Sequence, residues 1–319
     1  MANIKVAQEV NGEDPDGVTS GLTIAATFTV AANSVIHVFA TCFGTSTTAT
    51  CADNVNAGNY TATGSSIDDT TVGVRLFQFR KEAVAAGSTT VTVTFSGTIT
   101  GKGIRILEIQ NVATSSALDV VLAGNYQPTP TTTTDATVSG SASNTVTGLV
   151  VGLTYDSAEG STNSAGTGFT TGTSGWVFGS GSNLALTENK RVTTIASQTA
   201  TFTATANDGH LTIGAVYKEL VGPTINTQPT TQTVAAGQTA TFTISATASA
   251  GGGSLSYQWK KGGSNVGTNS SSYTTAATVG SDDASIITCV VTDSNGSTTS
   301  ADTVYLRVFQ SPPAAWVTH

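Results

Sequence analysis

Three runs decide the fold class: Ser254-Leu255-Ser256-Tyr257-Gln258-Trp259-Lys260-Lys261, then Ser271-Ser272-Tyr273-Thr274-Thr275, then Asp282-Asp283-Ala284-Ser285-Ile286-Ile287-Thr288-Cys289-Val290-Val291-Thr292-Asp293-Ser294-Asn295-Gly296. Tyr257 and Trp259 alternate with Ser256 and Gln258, the period-two pattern of a strand with one buried face. Ile287, Cys289 and Val291 alternate in the same way around Thr288 and Val290. The segment therefore predicts two strands that carry a Trp and a Cys on their inner faces.

The rest of the 319 residues has the same character. Charged residues make up only 10% and aromatics 7%, with 34 glycines. Thr and Val suit pleated strands, whereas Gly, Asn and Ser suit turns. No segment longer than a turn or two has a 3.6-residue period, so the expectation is all-β with very little helix. The formal net charge of −8 argues against nucleic acid as a direct partner, since that needs a basic face. No stretch is apolar enough for membrane insertion. The opening Met1–Gly17 lacks the apolar run of a signal peptide, so synthesis in a host cytoplasm is expected.

Read in order, the chain begins with a polar segment to Gly21 that fits an arm or an edge strand. Leu22–Val30 and Ser34–Thr41 read as strands, and Cys42–Ser66 as a long turn-rich segment with a short strand near Asn59–Thr63. In Val72–Arg80, Val74, Leu76 and either Phe77 or Phe79 compete for one core face. Thr89–Phe95 points Val91, Val93 and Phe95 inward, and a hairpin connection leads to Gly103–Gln110. Ala117–Leu122 is a short strand, Pro128–Thr134 an extended crossover, and Thr145–Asp156 the most apolar and central strand. Ser157–Gly175 reads as a loop, followed by short strands at Trp176–Phe178, Leu184–Leu186 and Lys190–Thr194. Thr199–Thr205 and His210–Leu220 form a hairpin that echoes the one at Thr89–Gln110; two hairpins obeying the same pattern rules would also explain the echo. Strands at this spacing fit a sandwich or jelly roll. Val221-Gly222-Pro223 marks a boundary between residues 1–220, a jelly-roll-like β-sandwich, and residues 221–319, a second sandwich with a short C-terminal tail.

Residues 223–309 resemble the bacterial and phage immunoglobulin-like domains, on the strength of Trp259 and Cys289 in the strand patterns quoted above. The resemblance places the family's first core cysteine at Ile244 and its tyrosine at Ile287, so it implies a core of Trp259, Cys289 and Ile244 without a bridge. Replacing apolar volume by apolar volume leaves the fold possible, and the loop aspartate of the family falls on Asp283. Residues 20–219 resemble a β-sandwich module of bacterial surface and phage structural proteins, through Thr90–Gly97, Glu108–Val112, Gly168–Thr170 and Thr199–Thr203. That module carries no transferable activity.

No reaction is legible. His37, His210 and His319 are too dispersed for a metal site. The acidic pairs Glu13-Asp14-Asp16, Asp68-Asp69 and Asp282-Asp283 suit capping better than calcium. Gly172-Thr173-Ser174-Gly175 does not match a nucleophile elbow. No cofactor is expected, and the chain reads as non-enzymatic. Cys42 and Cys51 could meet across a hairpin; the odd cysteine count and cytosolic synthesis favour free thiols. Phe169 and Trp176, beside Tyr155 and Phe178, fit either sugar stacking or the closing of a sandwich end. Trp316 fits either a docking anchor or a tail folded on its own domain.

The expected role is a phage structural protein: an outer capsid decoration or fibre-like component of the virion. Its partners would be other virion proteins, the major capsid protein among them, with the chain present in several copies or as a homo-oligomer. The alternative is a carbohydrate-binding adhesin of a tail fibre or bacterial surface that contacts a host-surface glycan. A glycan-active enzyme with an accessory module is a third reading.

Overall fold

The structure is a computed structural model. It describes residues 3–14, 23–44, 48–70, 73–97, 99–113, 116–127, 135–138, 141–156, 163–174, 184–204, 209–249 and 252–310. Apart from one 3-10 turn at Gly280–Asp282, every regular element among them is a strand. The chain divides into two compact units, Met1–Leu220 and Val221–His319.

The first unit opens with β1 (Lys5–Asp14), β2 (Thr23–Val30), β3 (Val35–Gly44), β4 (Ala49–Asp53), β5 (Thr61–Ala62), β6 (Ile67–Asp69), β7 (Val74–Lys81), β8 (Gly87–Phe95) and β9 (Ile99–Gln110). These form a large sheet in the order β1-β9-β3-β7-β5, with β6 also on β7, and a small sheet β2-β8-β4. The chain then continues through β10 (Leu118–Gln127), β11 (Asp135–Val138), β12 (Ala142–Ser143), β13 (Gly148–Asp156), β14 (Asn163–Ala165), β15 (Thr170–Ser174), β16 (Leu184–Val192), β17 (Ser197–Gln198), β18 (Thr201–Ala204) and β19 (His210–Lys218). The large sheet here runs β10-β19-β13-β16-β15, and the small ones β11-β18-β14 and β12-β17.

The two halves have one topology. β1-β9-β3-β7 corresponds to β10-β19-β13-β16, and β2-β8-β4 to β11-β18-β14. The echo between the two hairpins is thus part of a whole repeated sandwich. Where the sequence suggested one sandwich over residues 1–220, the unit holds two, stacked through their large sheets.

Three apolar layers hold this stack together. Ile24, Phe28, Val91, Val93 and Phe95 meet Ile36, Val38, Phe77, Phe79 and Ile106 inside the first sandwich. Val150, Leu186, Val216 and Phe202 fill the second. Between them, Val35, Phe39, Val74, Leu76 and Leu107 pack on Leu149, Val151, Leu153, Tyr155, Leu211 and Ile213. β7 therefore has two core faces: Val74 and Leu76 enter the middle layer, Phe77 and Phe79 the first. The competition expected from its sequence does not arise. Full burial of each such side chain contributes about 1.5–3 kcal/mol. The middle sheets also come very close to their neighbours. Gly152 lies opposite Gly214 across β13 and β19. A Cβ on Gly152 would stand 2.4 Å from that of Ala200, and one on Gly214 2.6 Å from the Val151 carbonyl oxygen. Glycine is the residue that permits such approaches.

Other sequence expectations change at their ends. The opening segment is an edge strand, β1, paired with β9. The presumed loop at 157–175 contains β14 and β15, and the two short strands expected within 184–194 are the single strand β16. The Pro128–Thr134 crossover and the Trp176–Phe178 strand lie outside the described residues.

The second unit comprises β20 (Thr224–Thr227), β21 (Gln232–Ala235), β22 (Thr241–Thr243), β23 (Ser245–Thr247), β24 (Ser256–Lys261), β25 (Ser264–Val266), β26 (Ser272–Thr274), β27 (Ser285–Asp293), β28 (Gly296–Thr299) and β29 (Tyr305–Phe309). One sheet runs β21-β29-β27-β24-β25, with β28 on β27; β22 pairs with β26 and β20 with β23. β21 runs parallel to β29.

Candidate functional site

The centre of the second unit is built by register. β24 and β27 pair so that Trp259 lies opposite Cys289 and Tyr257 opposite Val291. Trp259 is fully buried and its indole N–H donates to the Ser270 carbonyl at 2.9 Å. The rings of Tyr273 and Phe242 stand 6.0 and 6.5 Å from it. Ile244 is 5% exposed and closes the same core. Cys289 is a free thiol, and burial pushes its pKa up to about 11. The second unit is an immunoglobulin-like sandwich. The Asp283 carboxylate accepts from the Val308 N–H at 2.9 Å, and the Asp282 carboxylate pairs with Lys261. Both acids therefore serve the fold.

No family model matches this chain, and no curated protein matches it. Among solved structures it is similar to the Ig1-2 module of the Drosophila receptor protein tyrosine phosphatase DLAR, at 11% identity over 60% of this chain and 100% of that one, with a TM-score of 0.24. It is also similar to the N-terminal four Ig domains of Dscam1 isoform 1.9 (11% identity, 88% and 70% covered, TM-score 0.24) and to Sidekick-1 immunoglobulin domains 1–5 (9%, 82% and 52%, TM-score 0.25). Superpositions this loose carry no argument, so the immunoglobulin-like assignment rests on strand order and register.

Cys42 on β3 and Cys51 on β4 belong to facing sheets of the first sandwich and to the same buried cluster, and both are free. Burial, with the Asp53 charge adding to it, pushes the Cys51 thiol well up. Since the thiolate is the reactive species, all three thiols should resist Ellman's reagent in native buffer and all three should react in about 6 M guanidinium. Reaction of any thiol at the free-cysteine rate before unfolding would contradict this burial.

The interface between the two stacked sandwiches carries polar ties that periodicity did not reveal. Nδ1 of His37 shares a 2.6 Å hydrogen bond with the Tyr217 hydroxyl. Burial, reinforced by Arg80, lowers the His37 pKa to about 3, so the ring is neutral and structural. Glu9 accepts from the Thr187 hydroxyl at 2.8 Å and lies 3.7 Å from fully buried Arg105. Glu219 takes a two-pronged bond from Arg191 at 3.0 and 2.7 Å, and accepts from the Ile4 N–H at 3.1 Å.

Glu188, with no exposed surface, sits where the first sandwich has phenylalanines. It accepts from the Gly166 and Thr201 N–H groups at 2.9 and 2.7 Å. Burial outweighs these bonds and raises its pKa to about 7. The folded state therefore holds this proton more tightly than the unfolded chain, and stability falls as pH rises from about 4.5 through about 7, by up to ~3 kcal/mol. Urea midpoints of the first unit are expected to be higher at pH 5 than at pH 8, and the difference should shrink in Glu188→Gln. An unchanged difference in that variant would assign the dependence to other groups.

Among the described residues no group of three or more His, Cys, Asp or Glu side chains could hold a metal ion. His210 is buried at the start of β19. Phe169 is half-buried, packs against the core of the second sandwich and lies 5.2 Å below the Lys190 ammonium. Tyr155 is fully buried in the middle layer. Trp176, Phe178, Trp316 and His319 lie outside the described residues.

A cleft of about 480 Å³ opens where the first sandwich meets the start of the second. Asn59, Thr61, Arg80, Lys81 and Glu82 line one side, and Ser116 and Leu118 the other. Sequence reasoning did not single out any of these positions. They come from three separated stretches that only the stacking of the sandwiches brings together.

Proposed function

We propose that this chain is a non-enzymatic attachment and display protein of a phage particle, either an outer capsid decoration or a fibre-like component. The observation that supports it is that the thiols buried in the cores of the first sandwich and of the immunoglobulin-like unit form no bridge. Cys42 and Cys51 share one core unbridged, and Ile244 stands where Cys289 would need a partner. Folds of this kind that operate outside cells commonly rely on disulfides formed in an oxidising compartment. Cores that are complete without them suit a protein that folds in a reducing cytoplasm and reaches the outside as part of an assembled particle. Its partners are then other virion proteins, the major capsid protein first. Many copies on a shell make weak individual contacts sufficient.

The test is genetic removal. Particles lacking the chain should keep their DNA and tails and lose peripheral density in cryo-electron microscopy, with density returning when purified protein is added back. Loss of tails or of packaged DNA would overturn the decoration role.

A further inference from the structure

The cleft beside Arg80 has the makings of a ligand site. Its volume, about 480 Å³, falls in the range of small-molecule sites, roughly 300–1,000 Å³. Arg80 is its central charge, with a side chain 20% exposed. Its Nε donates to Glu82 at 3.0 Å, and the two terminal guanidinium nitrogens have no other side-chain partner among the described residues. Glu82 is itself occupied: besides Arg80 it accepts from the Ala117 and Leu118 N–H groups at 2.9 and 3.3 Å. It holds the guanidinium in place while its own charge is largely offset. The Lys81 ammonium donates to the Ala57 carbonyl at 2.6 Å.

The guanidinium, a planar fork of donors whose Nε is held by Glu82, is among the groups that line the cleft, and such a fork suits a carboxylate. The charge count suits one anionic group rather than a polyphosphate. Around the fork stand the amide of Asn59 and the hydroxyls of Thr61 and Ser116, each able to donate and accept, with Leu118 as the one apolar contact. We propose that this cleft binds a carboxylate-bearing saccharide, with the carboxylate on Arg80 and ring hydroxyls on Asn59, Thr61 and Ser116. The cleft's lining does not include Phe169, and the site stands independently of the particle role; its failure would leave that role untouched.

A uronic-acid tetrasaccharide, the neutral hexose tetrasaccharide of the same linkage, and inorganic phosphate are titrated against the full chain by calorimetry. The uronate is expected to bind at least 10-fold more tightly than either of the others, and Arg80→Gln should weaken it at least 10-fold. Because Arg80→Gln also removes a partner of Glu82, Ser116→Asp provides a second variant. Ser116 is exposed with φ +48°, a conformation that Asp tolerates, and the added charge should likewise weaken the uronate at least 10-fold with an unchanged melting temperature. No binding of the uronate, an affinity in both variants equal to that of the unaltered chain, or phosphate binding as tightly as the uronate would each overturn the assignment.

Discussion

Trp259→Ala is expected to destabilise the immunoglobulin-like unit by about 3–5 kcal/mol, the cost of emptying a large aromatic site in a packed core. Trp259 has no exposed surface, contacts Phe242 and Tyr273, and lies opposite Cys289. The substitution also strips the part-buried Ser270 carbonyl of its donor, and an acceptor left without one adds to the loss. Trp259→Phe, which keeps most of the ring volume, should cost less than half as much. The cysteines provide the readout: pulse labelling along a urea series follows Cys289 for this unit, and Cys42 and Cys51 for the other. In Trp259→Ala the Cys289 midpoint should fall sharply while the other two stay in place. Protection of Cys289 to the same urea concentration as in the unaltered chain would refute the central role of the indole.

The second large effect is expected from Glu9→Ala. Arg105 is wholly buried between the two stacked sandwiches, and Glu9 is the carboxylate beside it, tied in turn to Thr187 on β16. Removing one member of a buried ion pair leaves a charge without compensation and costs about 3–5 kcal/mol, whereas replacing both members by apolar residues is often close to neutral. Glu9→Ala should thus lower the urea midpoint of Cys42 and Cys51 labelling, and the double variant Glu9→Leu with Arg105→Leu should recover most of the loss. A cost below about 1 kcal/mol for Glu9→Ala, or a double variant worse than the single, would remove this pair from the forces that join the sandwiches.

Some of this was readable from the residues. Trp259 and Cys289 announced their shared core because alternation with Gln258 and Thr288 assigns each to one face, and β24 and β27 are buried on one face only. β7 shows where such reading stops. Leu76, Phe77 and Phe79 looked like rivals for one core because a period-two pattern assumes a wet side, and β7 has none. The repeat was audible in two hairpins, yet β11 and β14 are too short and too rich in Thr, Ser and Ala to be matched with β2 and β4 by sequence. The cleft was invisible for a simpler reason: Thr61, Arg80 and Ser116 look like ordinary surface polar residues until their strands are stacked.

The amino-acid sequence by itself determined that this chain is made of strands and which side chains along each strand share a face. These are consequences of local sterics and alternation, which act between near neighbours. The tertiary structure alone decided that two sandwiches share a middle layer, that Glu9, Arg105 and His37 are enclosed there, and that Arg80 faces a cleft. Each of these depends on which sheet covers which, a choice made by the summed burial of many side chains far apart in the chain.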